Sequence, residues 1–190
     1  MDTSSNLTGK LLIAMPGMLD PRFERSVILL CVHSDDGAMG LVLNQPLPEV
    51  SFASLLDQLG IAAGDGIGDI PVHRGGPVEP GRGFVLHRAE AQTDDAEGML
   101  RIDEDLALTT TLDILEDLAS GDGPRPALLA LGYAGWGPGQ LDGEIRDNGW
   151  LTAERGDDII FGADHDGKWV AALRGMGIDP LVLSATAGHA

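Results

Sequence analysis

Two apolar runs, Ser26 to His33 and Ala38 to Asn44, stand on either side of Asp35-Asp36-Gly37. Acidic residues followed by glycine suit the positive φ of a tight turn, and each run has strand length, so the segment reads as a hairpin. Along the first run Ile28, Leu30 and Val32 fall on one face, and Val27, Leu29, Cys31 and His33 on the other. Both faces are apolar until His33, the pattern of a strand covered on both sides. A chain organised around such a hairpin needs packing layers above and below its sheet.

The remaining segments supply those layers irregularly. Leu11 to Met15, Ile70 to Arg74, Gly83 to His87, Leu128 to Leu131 and Asp158 to Phe161 read as further short strands. Ser51 caps a helix running to Leu59, with Phe52, Leu55, Leu56 and Leu59 at helical spacing and Gly60 as its left-handed stop. A second helix is predicted over Thr111 to Ala119 with Leu112, Leu115 and Leu118 inward, a helical turn over Gln140 to Arg146, and a last short helix over Lys168 to Arg174. Strands and helices interleave without a regular βαβ order. The fold class is therefore α+β, a mixed sheet with flanking helices, rather than a doubly wound parallel sheet.

With 190 residues and 43% hydrophobic content, residues 1–190 fit one domain able to bury about 70% of its unfolded surface. No repeat or Pro/Ser-rich linker divides it. The start, MDTSSNLTGK, lacks a basic, apolar leader, and no apolar run approaches the length of a membrane span. One cysteine, Cys31, rules out an internal disulfide and suits a reducing compartment, so a cytoplasmic protein with no membrane partner is expected. The formal charge of −18 repels phosphate backbones, and no basic cluster offsets it, which argues against direct nucleic-acid binding. The stretch from Glu90 to Asp122, with Arg101 its only base, reads as a solvated acidic face.

Several strings imitate catalytic motifs. Gly162 to Lys168 has the glycine and lysine spacing of a phosphate loop, but Trp169 stands where that loop needs Ser or Thr for magnesium, and Asp164 and Asp166 would repel phosphate. It reads as a turn in which Asp166 caps a helix whose Trp169 packs inward. No Gly-x-Ser-x-Gly elbow is present. The histidines are dispersed, none at the short spacing of zinc ligands, so neither metal nor cofactor is expected. His33, His73 and His87 each end a predicted strand, where an acid or base could meet substrate. Cys31 reads as buried and inert, its thiolate suppressed by desolvation.

Glycine usage is the unusual feature. Gly132, Gly135, Gly137 and Gly139 follow a predicted buried strand, with Tyr133, Trp136 and Gln140 among them, and Gly75-Gly76-Pro77 is a second irregular segment. Glycines at such density free the backbone for positive φ or close approach, either for a tight connection around a Trp136 plug or for a ligand. The candidate ligand-binding residues are Asn44, Gly75, Gly76, Pro77, Gly135, Trp136, Gly137 and Gln140, with Met15-Pro16-Gly17 alongside and Arg22, Arg25 and Arg74 as the charges available to an anionic group. No catalytic residue is assigned.

Five stretches carry a resemblance over nearly the whole chain: GKLLIAMPGMLDPRFERSVILL, HSDDGAMGLVLNQPL, HRGGPVEPGRGFVLHR, LGYAGWGPGQLDGEI with NGWL, and KWVAALRGMGID with LSATAGHA. In this order the sequence resembles the bacterial YqgE/AlgH family. The acidic middle and the GDGIGD near Gly64 depart from that pattern as loop variation. The resemblance implies a branched β-sheet curled into a barrel-like shape, no agreed enzyme activity and no transferable catalytic residues. One branch of that family is described as a transcriptional regulator of alginate synthesis. The combined reading is a non-enzymatic binding or regulatory module for a protein, peptide or small-molecule partner; the alternatives are an enzyme using the strand-end histidines, and a transcriptional regulator.

Overall fold

The computed structural model describes residues 6–64, 70–89, 98–124 and 126–180. Residues 90–97 of the acidic stretch, most of GDGIGD and the closing LSATAGHA lie outside the described residues. Within them nine strands form one sheet: β1 (Leu11–Ala14), β2 (Val27–Ser34), β3 (Gly37–Val42), β4 (Val72–Arg74), β5 (Val78–Arg88), β6 (Met99–Arg101), β7 (Leu106–Thr109), β8 (Ala127–Trp136) and β9 (Trp150–Ala153). Five helices flank it: α1 (Phe52–Gln58), α2 (Leu112–Ser120), α3 (Gln140–Arg146), α4 (Asp157–Phe161) and α5 (Lys168–Gly175). The order is β6-β7-β5-β8-β3-β2-β1-β9, antiparallel throughout, with β4 pairing parallel to β8 off this path.

The branch lies on β8. Its first half pairs with β5 and β4, and its last residues pair with β3. The sheet curls into a half-barrel. Beyond β9, Arg155 bonds Asp103 at 2.7 Å and Asp105 at 3.4 Å in the β6–β7 turn, so an ion-pair cluster links the two extremes of the strand order.

Each face is covered, as the hairpin pattern requires. Leu11, Leu29, Cys31 and Leu41 join Phe84, Leu86 and Leu108 in an inner core into which Ile160 of α4 and Trp169 and Leu173 of α5 pack. On the outer face α3 covers Leu12, Ile28, Leu30 and Trp136, while α1 and α2 cover Val72, Val85 and Leu129. Residues 28 and 30 thus serve one cluster and 27, 29 and 31 the other, matching the alternation read from β2.

The hairpin forms with Ser34 opposite Gly37, and Ser51 and Ser54 cap α1 reciprocally. Four expectations are corrected. Asp158 to Phe161 is helical, because a short apolar run has the same composition in either state and Ile160 reaches the inner core from α4. Leu112 is exposed at the start of α2, and Ile114, Leu115, Leu118 and Ala119 form its buried face. Gly132 to Trp136 continues β8 rather than forming a loop after it. The Gly162 turn follows a helix, and Asp164, not Asp166, accepts the Gly167 N–H at 3.1 Å.

Candidate functional site

The glycines of β8 and of the β4–β5 connection answer to each other. A Cβ on Gly75 would lie 2.3 Å from the Gly132 carbonyl oxygen, one on Gly76 2.1 Å from the Tyr133 carbonyl carbon, and one on Gly132 2.5 Å from the Gly76 oxygen. Two backbones therefore touch where the sheet branches, and glycine is the residue that allows it. Gly75 also donates to the Leu131 carbonyl and accepts from the Val42 N–H, both at 2.8 Å, so its peptide joins β8 to β3. Its polar groups are committed within the fold, and Pro77 beside them is half-buried.

The Gly135 to Gln140 segment is likewise closed on itself. Gly135 pairs with Met39 in the sheet. Trp136 is buried against Trp150 and Phe23, and both indoles donate to Glu144. The Gln140 carbonyl accepts from the Gly137 N–H at 3.0 Å and its amide donates to Glu144 at 3.1 Å. Asn44 lies elsewhere, past the far end of β3 from Met39, roughly 16 Å along the strand at the usual rise. The structure does not bring Asn44 and Gly135–Gln140 into one site.

What gathers around Asn44 is a polar cleft of about 340 Å³. The Asn44 amide donates to the Arg25 carbonyl at 2.8 Å and its oxygen accepts from the Val27 N–H at 3.0 Å. This clamp holds Arg25 at φ 55°, a left-handed conformation that costs a non-glycine residue about 1–2 kcal/mol. Arg25 extends from there over the Trp169 ring, 5.5 Å from its centroid. Trp169 is fixed in turn by donating to the Ala14 carbonyl at 2.8 Å, which ties the cleft to the end of β1 just before Met15-Pro16-Gly17. Gln45, Glu24, His165, Asp166 and Val170 complete the lining. Of the other predicted charges, Arg22 is paired with Asp20, and exposed Arg74 donates its backbone N–H to Gln45.

Behind the cleft lies a buried basic cluster. His73 on β4 is fully buried, and its Nε2 is 3.1 Å from Nδ1 of His165, with the rings edge-on at 80°. Lys168, 3% exposed, donates to the carbonyls of Leu43 and Ile160, each at 3.1 Å, and so pins α5 to the end of β3 and to α4. Burial lowers its pKa to about 8. Burial lowers His73 to about 4, with the neighbouring His165 and Lys168 adding to it, and His165 is lowered chiefly by burial too. Both imidazoles are neutral at physiological pH.

The three strand-end histidines do not converge. His33 accepts from the Leu7 N–H and faces Asp142 at 3.3 Å, while His87 donates to the Arg88 carbonyl and accepts from the Thr109 hydroxyl at 2.7 Å. Only His73 reaches the cleft, through His165. Cys31 is buried, and desolvation pushes its thiol up to about 12. In the sequence, His165, Trp169 and Lys168 stand only as parts of a turn and a helix. One signal marks Lys168: on α5 it shares the buried face of Trp169, Ala172 and Leu173, where a lysine needs internal acceptors. No group of metal-ligating side chains occurs among the described residues, and none of their helices is long and apolar enough to cross a membrane.

The AlgH-like family model matches residues 11–181, which takes in all of the sheet, the cleft and the buried cluster. The chain belongs to the AlgH-like family. A UPF0301 protein of Paracoccus denitrificans is 70% identical over the full length of both chains, and one of Cereibacter sphaeroides is 56% identical over 97% of this chain and all of its own. The solution structure of the AlgH protein from Pseudomonas aeruginosa superposes with a TM-score of 0.78 at 39% identity, covering 100% of this chain and 99% of that one. A crystal structure of a Corynebacterium diphtheriae protein shares the fold, with a TM-score of 0.74 at 21% identity over 97% and 94% of the two chains. The family thus spans the curled, branched sheet from end to end, and the cleft sits where its β1, β2 and β3 loops meet α5.

Chemically the cleft offers one guanidinium, an aromatic face, two carboxylates, two amides and an imidazole. Such a set can bind and orient a small polar molecule. It contains no nucleophile paired to a base.

Proposed function

We propose that the protein is a cytosolic binding module whose site is the Asn44–Arg25–Trp169 cleft, and that it takes a small polar ligand bearing an anionic group. The observation that carries this reading is Arg25 itself, held in a strained left-handed conformation by Asn44 with its guanidinium laid over Trp169 at the cleft. Strain of this kind persists where the surroundings enforce it, and it gathers at ligand clamps. The guanidinium suits a carboxylate or phosphate and offsets part of the repulsion that Glu24 and Asp166 exert on an anion in the same cleft, and the indole suits the ligand's apolar face. A regulatory role would follow from ligand occupancy. Direct DNA binding has no support in a chain of charge −18.

An enzyme reading has one observation in its favour, the His73–His165 contact at the cleft floor. It would make His165 the acid or base. Thermal unfolding of wild type and Arg25→Gly against a panel of small phosphates and carboxylates tests the binding reading. A ligand class that stabilises wild type and not the variant supports it; equal stabilisation of both places the ligand elsewhere. Conversion of the stabilising compound to a product, abolished by His165→Asn, would favour the enzyme.

A further inference from the structure

We propose that the concave face of the half-barrel carries a second binding site, at the end away from the Asn44 cleft, for an amphiphilic carboxylate: a molecule with an apolar body and one anionic head, such as a medium-chain fatty acid. This site shares no residue with the cleft and does not rest on the reading given for it.

On that face α5 packs against β1 and β2. Farther round the curl, residues of β3, β5, β6, β7 and β8 bound a cavity of about 450 Å³, and no helix residue lines it. Phe84 and Leu108 are core residues that the cavity reaches, while Met39 and Tyr133 pack partly buried against the same core. Met99, half-buried on the edge strand β6, completes the apolar wall. The volume falls within the range of small-molecule sites, and two methionines let the wall adapt to an unbranched chain.

Among the described residues that line the cavity, Arg82 alone carries a charge. The backbone sets its position. Val78 of β5 lies opposite Tyr133 of β8, but the next pair is Gly83 with Leu131, so residues 79–82 bulge against Gly132 alone. Bulges of this kind re-aim side chains. Glu79 in the bulge adopts φ 45°, and Arg82, two residues before Phe84 on the strand, lays its guanidinium over the Phe84 ring, 5.2 Å from the centroid. A cation is thereby held at the edge of an apolar cavity. Glu79 touches it through Nη1 only, at 3.4 Å and between two exposed side chains, a weak pairing that leaves the other N–H groups of the fork to a ligand carboxylate. The charge of −18 over the whole chain opposes an anion at range, so the apolar body supplies the affinity and Arg82 the choice of head group.

Sodium octanoate, octylammonium chloride and octanol share an apolar chain and differ in the head, and titrations with each are followed through the methionine methyl and tyrosine ring NMR signals. Octanoate is expected to move Met39, Met99 and Tyr133 and to leave Met15 and Met176 unchanged. Octylammonium should bind at least about tenfold more weakly, the worth of one charge-assisted hydrogen bond, and Arg82→Gln should bring octanoate down to the affinity of octanol. Arg82 is exposed, so this variant keeps the fold. Arg25→Gly should leave the octanoate response of Met39 and Met99 as it is in wild type, which separates this site from the cleft. No movement of Met39 and Met99 overturns the site. Equal affinity for octanoate and octylammonium, or an octanoate affinity untouched by Arg82→Gln, overturns the anionic head group, and a response lost in Arg25→Gly assigns the carboxylate to the cleft instead.

Discussion

The side-chain amide of Asn44 bridges two backbone positions, donating to the Arg25 carbonyl at 2.8 Å and accepting from the Val27 N–H at 3.0 Å. It thereby fixes the approach to β2 and the direction in which Arg25 leaves the chain. Asn44→Ala removes both bonds and is expected to cost about 1–3 kcal/mol in urea unfolding. Arg25→Gly behaves differently: glycine adopts φ 55° without strain, so stability should stay within about 1 kcal/mol of wild type while ligand stabilisation is lost. Equal destabilisation by both variants would mean that Arg25 is a structural residue.

The backbone contact at the sheet branch makes an asymmetric prediction for glycines. Gly75→Ala or Gly76→Ala forces a Cβ to within 2.3 or 2.1 Å of backbone atoms of β8, which cannot yield without parting the sheet. Each should cost at least about 3 kcal/mol or prevent soluble expression. Gly143 lies within α3 with nothing within 4 Å of an added Cβ, so Gly143→Ala should stabilise by about 0.5–1 kcal/mol. Denaturation midpoints of the variants check both directions.

Lys168 gives a pH dependence of definite sign. Its folded pKa of about 8 lies below the ordinary 10.5 because burial penalises the ammonium. Across that interval the unfolded chain binds more protons than the folded one, so stability from this group rises with pH, is full above 10.5 and is lost as pH falls through 8. Relative to Lys168→Met, wild type should gain up to about 3 kcal/mol over the window. Parallel stability curves for the two proteins would show that the carbonyls of Leu43 and Ile160 fully offset the burial.

Cys31 should be inert in the native state. It is buried in the inner core with its thiol raised to about 12, so the thiolate is scarce at neutral pH. Labelling by a thiol reagent is expected only at the rate of unfolding. Stoichiometric labelling within minutes without denaturant would contradict this.

The β2–β3 hairpin and α1 were legible because turn chemistry, alternation and capping are local signals, each confined to a few residues. The strands β6, β7 and β9 were not, since three or four residues of Met-Leu-Arg or Leu-Ala-Leu-Thr become strands only by pairing with distant partners. The same limit applies to the site. Asn44 stood out as a polar residue ending an apolar run, but nothing near it in sequence points to Trp169. His73 and His165 are separated by 92 positions and meet only because α5 packs into the curled sheet. The glycines misled for a physical reason: Gly75, Gly76 and Gly132 are required where two backbones touch, a demand that looks in sequence the same as close approach to a ligand.

The most direct test of the cleft as the ligand site is a titration of the isotopically labelled protein with glycerol phosphate, followed through side-chain NMR signals. The expected result is movement of the Trp169 indole, the Asn44 amide and the His165 ring, with the Trp136 indole and the Gln140 amide unchanged. Movement confined to Trp136 and Gln140, or no movement at any of these groups, would contradict the account.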